Sequence, residues 1–299
     1  MDALLIITDL LVLLFWVRFW AASEQEFYFN PFLSAPARLT DRVVDFLRPV
    51  LPLPGRLTAL LLVAFVLAFR AVALQHFFAE NWPWTVTIGP FFAFTPRQPG
   101  VHGALLFSLL DFLFFIARFW GLYLFVQALT PVMRRDRGSE AFHVAAMPLS
   151  AQRWWLQLLL LVATHAVLVY ELTRVGVATL HAAEGMPHST APMLPDVSTA
   201  DHLLHLGWLT ALSLADALQA GKACMLAFII GSFVSLLLQN AALNAVCNEG
   251  VSVLLGRFAR RIPVGMLDFT PILYFFGVNI LYVLICYAVM VLMTAARPG

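Results

Sequence analysis

A chain of 299 residues with 61% hydrophobic residues, 12% charged residues and a mean hydropathy of +0.85 has too little polar side chain to coat a water-soluble globule of its size. A formal charge of +1 excludes the broad basic footprint of a nucleic-acid-binding protein. Lipid is the expected solvent, and the expected fold class is all-α: a polytopic transmembrane helical protein of about six spans with interfacial amphipathic helices.

The first apolar stretch, Leu4 to Trp20, has no basic region before it and ends at no small-residue cleavage site, so it reads as a retained first span. An amphipathic segment follows. Arg38, Asp41, Arg42, Asp45 and Arg48 form its polar face, Leu39, Val43, Val44, Phe46 and Leu47 its other side, and Pro52 stops it. Further spans are expected at Leu57 to Gln75, Ala104 to Thr130, Trp154 to Leu172, Met225 to Val246 and Ile272 to Met293. Trp16, Trp20, Trp82, Trp84, Trp154 and Trp155 fall near the ends of spans, where indole rings favour the headgroup zone. The segment His202 to Gln219 gathers His202, His205, Ser213, Asp216 and Gln219 on one face and reads as an amphipathic surface helix. Before the last span, Ser252, Gly256, Arg257 and Arg260 oppose Val253, Leu254, Leu255, Phe258 and Ile262, and Pro263 ends the stretch.

Basic residues cluster in three connections: Arg38, Arg42 and Arg48; Arg134, Arg135, Arg137 and Arg153; and Arg257, Arg260 and Arg261. Six spans place all three on one side of a membrane, and seven would separate the last. The three basic connections are therefore expected on the cytoplasmic side and both termini on the non-cytoplasmic side.

The chain also echoes itself. Leu47-Arg-Pro-Val-Leu-Pro52 aligns with Phe258-Ala-Arg-Arg-Ile-Pro263, each after an amphipathic stretch and before a span. With Asn30-Pro31-Phe32-Leu33 in the first copy, and Arg260-Arg261-Ile262-Pro263 and Asp268-Phe269-Thr270-Pro271 in the second, this unit resembles the YggT family of bacterial and plastid membrane proteins. The first copy has Pro49-Val50 in place of paired arginines and lacks the Asp-Phe-Thr-Pro element; the second lacks Asn-Pro-Phe. The resemblance implies a repeat at residues 1–76, a central inserted region at 77–221 and a second repeat at 222–299. It also implies membrane organisation rather than catalysis: an assembly factor or scaffold contacting lipids and other membrane proteins, in a larger complex or homo-oligomer.

Candidate chemistry is sparse. Asp111 and Arg118 are seven residues apart on the third span, too far for a local pair, so each is expected to find a partner on another helix. Arg18 lies near a span end and can snorkel. Asp41 and Asp45 form a DxxxD, but the interleaved arginines point to a salt-bridged face rather than a metal–diphosphate site. His165 at mid-span, and His202 with His205 at i,i+3, are the candidate ligands for a haem or chlorophyll-type pigment, with structural hydrogen bonding the leading alternative. Cys224, Cys247 and Cys286 form no CxxC or CxxCH and read as apolar packers, so no metal or resident cofactor is expected. No GxSxG, HExxH or Walker-type sequence occurs, in keeping with a chain that is not an enzyme. The basic faces, Arg38, Arg42, Arg48, Arg257, Arg260 and Arg261, are the expected lipid or partner contacts. Two other readings stay open: an accessory subunit of an electron-transfer or photosynthetic complex, and a channel or transporter.

Overall fold

The computed structural model describes residues 2–21, 29–50, 52–78, 85–97, 100–129, 137–180, 199–255, 263–264, 267–268 and 270–295. Helices α1 (Asp2–Trp20), α2 (Pro31–Leu47), α3 (Gly55–Phe78) and α4 (Val101–Leu129) come first. They are followed by α5 (Arg137–Ala145), α6 (Trp154–Val175), α7 (Thr199–Leu237), α8 (Ala241–Leu255) and α9 (Thr270–Ala295). Among the described residues, Gly55–Ala73, Val101–Leu129, Trp154–Val175, Leu203–Ser235 and Thr270–Met293 are long and apolar enough to cross a membrane. Helix α1, with 19 residues, is a sixth long apolar helix. The chain is thus an all-α polytopic protein of the integral membrane type.

Helix α4 is the hub, packing on α3, α6 and α7, while α1 lies along α3 and α9 along α7. Glycine sets the closest approach: a Cβ on Gly121 of α4 would stand 2.5 Å from the Ala217 Cβ of α7. Only a residue without a side chain lets these two backbones meet.

Two sequence expectations are corrected. The segment His202 to Gln219 is no separate surface helix; it is the first half of the 39-residue α7. Ser213 and Asp216 of its polar face turn inward, where they are buried and find hydrogen-bond partners on other elements. The expected span Met225 to Val246 is broken instead, with α7 ending at Leu237, Gln239 adopting φ +50° and α8 starting at Ala241. The Asn240 side chain accepts from the Leu243 N–H and starts the new helix.

The sequence reading foresaw no strands. Strands β1 (Val86–Ile88), β2 (Phe92–Pro96) and β3 (Gly176–Leu180) form an antiparallel sheet in that order, with Ile88 opposite Phe92 and Phe92 opposite Leu180. Val86, Ile88, Phe92 and Phe94 are buried in the largest core cluster with Phe107 and Phe114 of α4, Leu172 of α6 and Leu212 of α7. The hairpin therefore packs one face against the bundle, with Thr87 and Pro90 left exposed. A second pair, β4 (Pro263–Val264) and β5 (Leu267–Asp268), precedes α9.

Candidate functional site

Three features concentrate polar chemistry, and α1 joins two of them. At one end of the bundle, α2 packs against α1 and α5, and α5 against α8. Asn30 starts α2 as its N-cap, its side chain accepting from the Phe32 N–H at 3.0 Å, with Pro31 in the first turn, where a missing N–H costs nothing. The same Asn30 donates from Nδ2 to Glu140 of α5 at 3.2 Å, and the Gly138 N–H of α5 donates to Glu249 of α8 at 2.7 Å. Leu33, Ala37, Thr40 and Val44 are the buried stripe of α2, while Leu39, Val43 and Phe46 are exposed beside exposed Arg38, Arg42 and Arg48. The side read from sequence as uniformly apolar is thus split, Val44 inward and Leu39, Val43 and Phe46 outward. Asp45 lies 4.0 Å from Arg48 on the exposed face, as expected of the DxxxD, whereas Asp41 turns away from the interleaved arginines and pairs with Arg18 of α1 at 2.9 Å. An apolar cavity of about 390 Å³ lies behind α2, walled by Leu13 and Val17 of α1, Phe119 of α4, Phe142 of α5, Phe228 of α7 and Leu254 of α8.

In the helix interiors, Arg70 of α3 is 0% exposed. Its Nη1 reaches Asp9 of α1 at 2.6 Å and Asp111 of α4 at 3.2 Å, its Nε donates to the Ser108 hydroxyl at 3.1 Å and its Nη2 to the Ser108 carbonyl at 2.6 Å. Ser108 Oγ in turn donates to the Leu67 carbonyl at 2.9 Å. Three helices are tied at one guanidinium.

Two turns along α4, Arg118 donates from Nη2 to Asp216 of α7 at 3.1 Å and to the Thr87 carbonyl of β1. Asp216 also accepts from the Tyr282 hydroxyl of α9 at 3.0 Å and from the Gly89 N–H at 3.1 Å. Irregular backbone away from water must have its N–H and C=O groups satisfied by protein, and Arg118 and Asp216 do this for the turn of the hairpin. Lys222 of α7 donates to Asn279 of α9 at 3.0 Å and lies over the Phe275 ring.

Asp111 and Arg118, expected to seek partners on other helices, do so: Asp111 finds Arg70 and Arg118 finds Asp216. His165 is fully buried on α6, with Nδ1 2.7 Å from the Ser213 hydroxyl of α7. His205 borders a small cavity of about 20 Å³ beside Phe92 and Phe94; His202 is in the first turns of α7, its side chain outside the described residues. Among the family-motif residues, Pro52 lies in the link between α2 and α3, Pro263 pairs with Asp268 across β4 and β5, and Thr270 and Pro271 open α9. Phe269, Arg257, Arg260 and Arg261 lie outside the described residues. Sequence reading missed Asp9, Arg70 and Tyr282. Arg70, the one charged residue between Leu57 and Gln75, was the available signal for the first two.

Comparison with family models, with curated proteins and with solved structures finds no match. Among the described residues, no group of three or more His, Cys, Asp and Glu side chains is placed to hold a metal ion.

Proposed function

We propose that this chain is a non-catalytic membrane scaffold or assembly factor of the YggT type, holding lipid and protein partners at the end of the bundle built from α2, α5 and α8. The observation that carries this reading is the three-way division of α2: one stripe packed on the bundle, a second of exposed Arg38, Arg42 and Arg48, and a third of exposed Leu39, Val43 and Phe46. A helix fixed by its first stripe and offering both a cationic and an apolar one suits the boundary between headgroups and acyl chains. The cavity behind it is walled by apolar side chains, the chemistry of a lipid tail. Arg257, Arg260 and Arg261 carry the same expectation for the second repeat. The proposed location is a bacterial inner membrane, with these arginines on the cytoplasmic side and both termini opposite.

The test replaces Arg38, Arg42 and Arg48 together by glutamine. The variant should insert and fold, because the other basic connections still orient it, and should lose about 1 kcal/mol of anionic-lipid preference per arginine. Lipid retained by protein purified in mild detergent from membranes of graded anionic content measures this, with salt titrated alongside. Unchanged retention of both lipid and protein partners at low salt would reduce the arginines to topological anchors.

A further inference from the structure

The interior ion pairs do not balance. Asp9 and Asp111 converge on the same nitrogen of Arg70, at 2.6 and 3.2 Å, and the other guanidinium nitrogens are engaged by Ser108. Among the described residues no second cation forms an ion pair with either carboxylate. The surrounding elements do not supply one: Arg118 of α4 is paired with Asp216 of α7, His165 of α6 is engaged by Ser213, Tyr282 of α9 donates to Asp216, and Lys222 of α7 is held by Asn279 and Phe275. Taken together, Asp9, Asp111 and Asp216 are three carboxylates against two guanidiniums, Arg70 and Arg118. Asp216 is satisfied as an anion by Arg118, the Tyr282 hydroxyl and the Gly89 N–H. The surplus charge belongs to Asp9 and Asp111, whose low-dielectric surroundings make an uncompensated carboxylate costly.

We propose that Asp9 and Asp111 form a binding site for one exchangeable monovalent cation, a proton carried by one of the two carboxyl groups beside Arg70. Protonation forms one O–H bond on one carboxylate and cancels the surplus charge, while the other carboxylate keeps the guanidinium. Arg70 occupies the space between the two acids, so a metal ion would have to displace its own competitor.

The test is infrared spectroscopy of the full chain in lipid bilayers, following the carboxylic-acid C=O stretch and its deuterium shift across a pH titration. The wild-type chain should show one such group at neutral pH. Asp9→Asn should abolish it, and so should Asp111→Asn, because removing either acid leaves the other fully paired with Arg70. Asp45→Asn, on the exposed face of α2, should leave it in place. A bound proton that is released on unfolding makes wild-type stability fall as pH rises through the range in which the band disappears, and each single Asn variant should be flat there. Absence of the band in the wild-type chain overturns the proposal whether or not the variants fold, as does a band that survives both substitutions. Stability that instead rises with sodium while no band is seen identifies the cation as a metal ion and overturns the proton.

Discussion

His143 shows how one side chain couples the end of the bundle to solvent pH. Its Nδ1 lies 3.0 Å from the Tyr123 hydroxyl of α4, and burial lowers its pKa below the usual 6.5. The folded protein therefore resists a proton that the unfolded chain accepts, so the unfolded state binds more protons below pH 6.5. The contribution of His143 to stability is complete above that pH and falls as the solution becomes more acid. The slope for one such group is bounded by about 1.4 kcal/mol per pH unit. Thermal unfolding between about pH 8 and 5 should show a shallower acid loss for His143→Gln than for the wild-type chain; equal slopes would place the acid sensitivity elsewhere. Arg70 works differently, since it is fully buried and its value lies in the three helices it joins, α1, α3 and α4.

Helix packing here depends on where side chains are absent as much as on where they are present. The Gly121 Cα faces Ala217, and an added Cβ would sit 2.5 Å from the Ala217 Cβ, well inside contact distance. Gly121→Ala should force α4 and α7 apart and cost about 1–3 kcal/mol, the usual penalty for overpacking. Gly207, earlier on α7, has nothing within 4 Å of the same added atom. Gly207→Ala should be neutral or stabilise by up to about 1 kcal/mol, because alanine is the better helix former. Comparing the two unfolding midpoints separates close approach from helix propensity, and an equal response at both positions would contradict the packing. The hairpin β1–β2 is held against the bundle by its buried apolar face and by the bonds of Arg118 to the Thr87 carbonyl and of the Gly89 N–H to Asp216.

For the molecule as a whole, the contacts of α2 with α5 and of α5 with α8 place those helices at one end, and the connection of β2 to α4 at the other. Single cysteines introduced by Arg42→Cys, Ser252→Cys and Arg97→Cys, with the three native cysteines replaced by alanine, test this directly. A membrane-impermeant thiol reagent on intact cells should treat the first two alike and the third oppositely. Labelling of Arg42→Cys and Ser252→Cys from different sides would contradict the fold.

Class and the positions of most spans were legible in the sequence, because a span must present about 20 apolar residues and must satisfy its own backbone whatever surrounds it. The start of α2 was legible for a similar reason: Asn30 and Pro31 act on the backbone within one turn. Only the tertiary structure decided which way a polar stripe faces. On α7, Ser213 and Asp216 have the spacing of a water-facing surface, and periodicity reads the same whether the partner is water or a side chain of another helix. Nor does any local pattern reveal that Asp9, Arg70 and Asp111, separated by 61 and 41 positions in the chain, share one nitrogen. An ion pair between helices depends on through-space distance, and that distance exists only after the apolar faces of α1, α3 and α4 have packed.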